Sequence, residues 1–170
     1  KARGALLMYR PDPRLTAILA RTGMLDRVLE PDEVAEADCA CSAGDLPWLL
    51  GMRERVDVPP ALALPPLPIR CNELRARLAL LGPPPYIGVT WRAGDKIKAR
   101  VLYKECPLPD LARVLRQVPG TVLVLQRHPG AGEIETFVRE LERPAHDLSH
   151  LNDDLEAMLA LLSLIDEYVG

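Results

Sequence analysis

The residues whose types most clearly suggest a chemical role form a basic segment between positions 92 and 105, RAGDKIKARVLYKE. Two acidic residues, Asp95 and Glu105, accompany five basic ones, which are Arg92, Lys96, Lys98, Arg100 and Lys104. This local excess of positive charge lies in a chain whose net charge is −3. A helix is predicted to begin close behind it, and helix N-termini attract anions through unpaired N–H groups and the helix dipole. The segment therefore predicts a phosphate site, the alternative being a charged loop that contacts only water.

Other kinds of site find less support in the residue types. The glycines do not form G-x-G-x-x-G, which argues against a nicotinamide or flavin dinucleotide. Three histidines without carboxylates at ligand spacing argue against a metal centre, and His150 is the best ligand candidate among them because it follows a predicted strand. The four cysteines include no C-x-x-C pair, so we expect small buried thiols in a reducing compartment. Trp48 and Trp91 are expected to pack in the core or in a cleft wall.

The elements that would position the basic segment alternate between strand and helix from residue 86 onward. Helices are predicted around residues 111–118 and 134–141, and a third over 155–162 begins at a cap, Asp153 or Asp154. Strands are predicted at residues 86–91, 121–126, 145–149 and 164–169. Such alternation with short connections predicts a parallel, doubly wound sheet, in which ligands bind beyond the carboxyl ends of the strands.

The first 58 residues repeat this pattern more weakly. Helices are predicted near residues 15–19 and 46–50, and strands at residues 5–10, 27–30 and 37–41. Nine of the 17 prolines lie from Pro47 to Pro85, and such a stretch is typical of an extended connector. The predicted fold is therefore α/β, with two Rossmann-like doubly wound halves, residues 1–58 and 86–170. A proline-rich connector, residues 59–85, joins them and carries a short helix over 72–81. We expect both halves to be incomplete, since the first begins and the second ends on a strand.

The amino-acid composition argues against several classes of protein. Hydrophobic residues make up 48% of the chain and charged residues 26%, which is enough to bury a core and is not typical of disorder. The acidic balance argues against a protein that coats nucleic acid. No apolar run approaches the roughly 18 residues of a membrane span, and no signal peptide is visible. We therefore expect a soluble, cytoplasmic protein without nucleic acid as a partner.

Three segments occur in the order of a known family. They are YIGVTWRAG (residues 86–94), LYKECPLPDLARVLRQVPGTVLVLQ (102–126) and DLSHLNDDLEAMLALLSLIDEYVG (147–170). This ordered set resembles the carboxy-terminal, donor-binding domain of GT-B fold glycosyltransferases, above all the bacterial tetratricopeptide-linked and heptosyltransferase-like enzymes. These are distantly akin to the O-linked N-acetylglucosamine transferases. DLPWLLG (45–51) is similar to a short motif late in the acceptor domain of that family.

The resemblance implies an enzyme that moves a sugar from a nucleotide-diphosphate donor to a hydroxyl of a saccharide or protein acceptor. Related families invert the anomeric carbon, and the donor is a substrate, with no metal and no other cofactor. By this resemblance Lys104 contacts the donor diphosphate, and Arg92, in the loop after the first strand of the carboxy-terminal domain, is a second phosphate-binding residue. Gln126 would line the nucleotide cleft, while Ser149 and His150 would lie near the base or ribose.

Other parts of such an enzyme are expected outside these residues. The resemblance implies a glycine-rich loop and the catalytic residue of the acceptor side before Lys1. A donor-binding turn with a histidine is expected after Gly170, and a helical-repeat domain elsewhere in the parent chain. Two alternatives remain at this point. One is a non-catalytic GT-B-like scaffold beside helical repeats, and the other is a nucleotide-sugar epimerase.

Overall fold

The computed structural model describes residues 4–93 and 104–170. The chain divides into two compact units, Lys1–Pro65 and Pro66–Gly170, and the division falls inside the predicted connector. The helix predicted within that connector is present and belongs to the second unit. It begins at Pro68, because proline is well suited to a first helical turn in which its missing N–H would have no partner.

The first unit is built from short elements. They are β1 (Met8–Tyr9), α1 (Thr16–Arg21), β2 (Arg27–Val28) and α2 (Leu46–Leu49), with 3-10 turns at Pro13–Leu15, Ala43–Asp45 and Arg55–Asp57. β1 and β2 form a two-stranded parallel sheet, and Ile18 and Leu29 are buried beside it. A doubly wound front half is therefore not confirmed for the described residues.

Three expectations for the first unit are wrong. Residues 37–41 form no strand, because this short, largely small-residue segment finds no partner strand with which to share backbone hydrogen bonds. Cys39 and Cys41 are exposed rather than buried. Trp48, in the segment resembling an acceptor-domain motif, leaves 80% of its surface exposed, so it packs in no core.

The second unit is a four-stranded parallel sheet with helices on both faces. Its strands are β3 (Tyr86–Val89), β6 (Thr121–Val124), β7 (Ala145–Asp147) and β8 (Glu167–Val169), in the order β7-β6-β3-β8. Its helices are α3 (Pro68–Leu81), α4 (Leu108–Leu115), α5 (Glu133–Leu141) and α6 (Leu155–Leu162), with a 3-10 turn at Ser149–Asp153. A separate antiparallel pair joins β4 (Arg92–Ala93) to β5 (Lys104–Glu105). The α/β class and the parallel sheet predicted for this part are confirmed.

The strand order contains one change of direction. The chain moves from β3 through α4 to β6 and through α5 to β7, and α6 then carries it back to β8 on the other side of β3. The side of the sheet on which successive strands are added therefore changes between β3 and β8, while all four strands remain parallel. In doubly wound sheets the crevice at the carboxyl ends of such strands is where ligands bind.

The core consists of one apolar layer on each face of the sheet. Ile87, Val89, Val122 and Val124 face α4 and α5, whereas Leu123 faces α3 and α6. Successive strand residues point to opposite faces, so all four residues of β6 are buried, as the apolar sequence TVLV predicts. Trp91 is buried as expected and packs on Phe137, with 5.6 Å between ring centroids.

Local signals define the helices well. Asp154 caps α6, its Oδ1 accepting from the N–H groups of Glu156 at 2.9 Å and Ala157 at 3.1 Å. In α4 the periodicity of Leu111, Val114, Leu115 and Val118 predicts one apolar stripe, which is partly wrong, because Val114 is 63% exposed while Ala112 is buried. Within residues 4–93 and 104–170 no helix combines the length and the apolar character that a membrane crossing needs.

Candidate functional site

The carboxyl edge of the four-stranded sheet collects the predicted site residues. Arg92 and Lys104 follow β3, Gln126 follows β6, and Ser149 and His150 follow β7. Because parallel strands end at the same edge, these five side chains belong to one side of the unit. Most of the basic segment, residues 94–103, lies outside the described residues, and so do Asp95, Lys96, Lys98 and Arg100.

Arg92 and Lys104 lie on the small β4–β5 hairpin directly after the central strand. Arg92 pairs with Glu105, and Ala93 pairs with Lys104 across the hairpin. The Cys106 N–H donates to the Trp91 carbonyl at 2.7 Å, which closes the base of the hairpin. The structure therefore places two basic residues that are 12 positions apart in sequence on adjacent strands of one hairpin.

The side-chain amide of Gln126 binds main-chain atoms of the segments that follow β3 and β6. Its side chain is buried, and its Oε1 accepts from the backbone N–H groups of Trp91 and Arg92, each at 2.9 Å. Its Nε2 donates to the carbonyls of Arg92 at 3.2 Å and Arg127 at 3.0 Å. These four bonds use the full capacity of the amide group, so Gln126 fixes the chain after β3 instead of offering the amide to a ligand.

Arg92 is held by the connection between β6 and α5. Its Nη1 contacts Oε1 of Glu133 in an ion pair whose side chains are 18% and 27% exposed. Its Nη2 donates to the His128 carbonyl at 3.0 Å. A guanidinium bound in this way contributes less free positive charge to a phosphate than the basic sequence segment suggests.

Glu133, the first residue of α5, receives further donors. The Gly130 N–H donates to its Oε2 at 2.8 Å, and the Trp91 indole Nε1 donates to the same oxygen at 3.4 Å. The hydrogen bond from Arg92 is the main cause that lowers the pKa of Glu133 below its ordinary value of 4.5. The carboxylate therefore stays ionised through mildly acidic conditions.

Lys104 is exposed and has no ion-pair partner in the described part of the chain. Arg127, which follows Gln126, is exposed at the same edge. Both side chains are thus free to approach an anion from solvent. Lys104 is thus the more exposed of the two basic residues on the hairpin, and Arg127 is a further exposed cation at this edge that sequence reasoning did not single out.

Ser149 and His150 occupy the turn after β7. The Ser149 N–H donates to Oδ1 of Asp147 at 2.8 Å, and Asn152 Nδ2 joins the turn to the end of β6 through the Leu125 carbonyl at 3.0 Å. Arg77 of α3 places both Nη atoms 3.3 Å from Nε2 of His150. Because a guanidinium only donates, Nε2 accepts, and Nδ1 is the ring nitrogen left for another contact.

Sequence reasoning missed Glu133 and Arg77, which contact two of the candidate residues. Glu133 lies 41 positions from Arg92, and Arg77 lies 73 positions from His150. An acidic residue in a first helical turn is ordinary for helix stability, so its type alone did not mark Glu133 as a partner. A carboxylate placed just after a strand-to-helix loop was the one available signal.

The described residues hold no group of three or more metal-ligating side chains. A comparison of the chain with protein-family profiles, curated proteins and solved structures finds no match in any of the three. The second unit is therefore defined by its own architecture, a parallel α/β sheet with a basic hairpin after its central strand.

Lowering the pH is expected to open the Arg92–Glu133 ion pair only below pH 4.5. Since the folded pKa is lowered, the ion pair contributes stability above the ordinary pKa of the carboxyl group and loses it as the pH falls through the lowered value. The Trp91 indole N–H resonance, followed by NMR, should stay constant from about pH 7 to 4.5 and then move. The exposed Trp48 indole serves as the reference, and a midpoint above 4.5 would contradict the expectation.

Proposed function

We propose that the second unit binds the nucleoside diphosphate of a nucleotide sugar, as the donor domain of a metal-independent glycosyltransferase. The observation that supports this proposal is the basic hairpin, which follows β3 where the strand order changes direction. Phosphate groups are attracted to positive charge at such an edge, and the exposed Lys104 ammonium supplies it. The resemblance of three ordered segments to donor-binding domains supports the same reading.

The proposed reaction is sugar transfer to a hydroxyl group of a saccharide or protein. The acceptor oxygen forms a bond to the anomeric carbon as the bond from that carbon to the diphosphate oxygen breaks. The electron pair leaves with the nucleoside diphosphate, and the acceptor proton passes to a general base that we do not place on this chain. Lys104 would stabilise the charge that develops on the leaving phosphate, which is the role a metal ion has in other transferases.

Ser149 and His150 are proposed to contact the nucleoside rather than the phosphates. They follow β7, two strands away from β3 in the sheet, so a diphosphate near Lys104 leaves its nucleoside to extend along the edge. The Ser149 hydroxyl and the Nδ1 position of His150 are suited to ribose or base atoms, since both make short-range directional hydrogen bonds.

Replacing Lys104 with alanine should weaken binding of UDP or GDP roughly tenfold, because a charge-assisted hydrogen bond to phosphate is lost. Binding of uridine or guanosine should stay unchanged. Isothermal titration of the full chain with each nucleotide and nucleoside measures both effects. Arg139→Ala is the matched control, since Arg139 is an exposed cation in the last turn of α5, toward the opposite edge of the sheet.

Three outcomes would contradict the proposal. Absence of nucleotide binding by the unaltered protein removes the donor site and favours the scaffold alternative. Equal losses for UDP and uridine in the Lys104 variant remove the phosphate role. Conversion of a nucleotide sugar to its epimer without an acceptor replaces transfer by epimerisation.

A further inference from the structure

We propose that Glu133 is a positioning residue that holds the β4–β5 hairpin, and with it Lys104, at the carboxyl edge of the sheet. It acts together with Gln126, Trp91 and Arg92, and these four residues are called the hairpin anchor. The effect on ligand binding rests on the proposed nucleotide site, whereas the hold on the hairpin does not.

The β4–β5 hairpin needs stabilising contacts from outside its own two strands. Each of its strands has two residues, and an isolated two-stranded pair is marginally stable at best. Both residues of β5 are exposed, so burial of β5 side chains adds little. Among the described residues, the contacts that fix its position relative to the sheet lie at its base, where the hairpin anchor is.

Two side chains from outside the hairpin supply that hold. Gln126 binds the main chain of Trp91 and Arg92 at the base. Glu133 binds the side chains of the same two residues, the Arg92 guanidinium and the Trp91 indole. The main chain and the side chains of these two residues are therefore bound separately by residues that follow β6.

The carboxylate is itself fixed before it binds Arg92. The Gly130 N–H holds Oε2, and Glu133 lies in the first turn of α5, where the helix dipole favours a negative charge. Ionic contact with Arg92 thus needs little reorganisation of Glu133. Because Glu133 occupies the Arg92 guanidinium, Arg92 positions the hairpin in this proposal. Lys104 is the residue of the basic segment that binds phosphate.

The variant Glu133→Gln tests the proposal, since it preserves the shape of the side chain and removes its charge. Amide hydrogen exchange, read by NMR on the full chain, should accelerate at least fivefold at Trp91, Arg92 and Cys106. The amides of β6 should keep their protection. Glu135→Gln is the matched control, because Glu135 lies in the same helical turn, is exposed, and has no hydrogen-bond partner among the described residues.

Measurements of ligand affinity distinguish a positioning role of Glu133 from a general effect on stability. Glu133→Gln should weaken UDP binding several-fold and leave uridine binding unchanged, and it should add no further loss when Lys104 is already alanine. A purely structural residue would lower both affinities, or would add its loss to that of Lys104→Ala. Arg92→Gln, the second variant, should accelerate exchange at Cys106 as Glu133→Gln does, and keeps the test decisive if one variant fails to fold.

The outcomes distinguish this inference from the proposed function. Unchanged exchange in both variants overturns the hold on the hairpin, whatever the nucleotide data show. Faster exchange without any loss of UDP affinity overturns the positioning of Lys104. If the unaltered protein binds neither UDP nor GDP while exchange accelerates in the variants, the proposed function is overturned and the hairpin anchor is supported.

Discussion

Replacing Phe137 with alanine should lower the free energy of unfolding of the second unit by roughly 3–5 kcal/mol, as other large-to-small core changes do. Phe137 is completely buried and lies in the apolar layer between the sheet and α4 and α5. Its ring packs on Trp91 with the planes tilted by 31°. Truncation leaves a cavity in that layer and removes one wall of the Trp91 site.

Urea titration followed by the NMR signals of the second unit measures this loss. Leu80→Ala is the control, since Leu80 lies on α3 with 88% of its surface exposed, and its removal should change the free energy of unfolding by less than about 0.5 kcal/mol. A loss below about 1 kcal/mol for Phe137→Ala would mean that the layer repacks around the missing ring, against the usual behaviour of close-packed cores.

Replacing Gln126 with leucine should lower the free energy of unfolding by roughly 2–6 kcal/mol. Leucine has similar size but no polar atoms, so the N–H groups of Trp91 and Arg92 lose their acceptor. Each buried donor left without a partner costs about 1–3 kcal/mol. The buried position, with 3% of the residue exposed, limits the water that could replace the lost bonds.

The same urea titration tests Gln126→Leu, with amide exchange at Trp91 and Arg92 as the local readout. Gln117→Leu is the matched control, because Gln117 is exposed and follows α4. We expect the control to leave both measurements nearly unchanged. Equal stability of the two variants would show that the Gln126 bonds contribute nothing to the fold. It would also contradict the proposed role of the hairpin anchor.

The part of the fold that local sequence patterns govern was predictable. The strand β6, the helix α5 and the cap of α6, predicted at Asp153 or Asp154, depend on residues a few positions apart, and the structure confirms each of them, with Asp154 as the cap. The strand predicted at residues 37–41 failed because a strand exists only with a partner, and its own residues do not reveal whether one is present.

The location of the candidate site was predictable from the sequence, whereas its side-chain contacts were not. The basic segment, the strand before it and the helix after it were visible in the sequence, which was enough to locate Arg92 and Lys104 at one edge. The partner of Arg92 was not visible, since Glu133 lies on a different strand-to-helix connection. Gln126 was expected to line a cleft, yet its amide is fully bonded to main-chain atoms whose positions depend on the neighbouring strand.

The sequence by itself determined that residues 86–170 alternate strand and helix, that β6 is buried on both faces, and that a basic segment follows β3. These properties depend on hydrophobic periodicity and local capping, which act over a few residues. Only the tertiary structure decided the strand order β7-β6-β3-β8, the exposure of Trp48 and the four contacts of Gln126. It also decided that Glu133 binds Arg92, because packing brings together groups that are dozens of residues apart, and no local pattern encodes which of them meet.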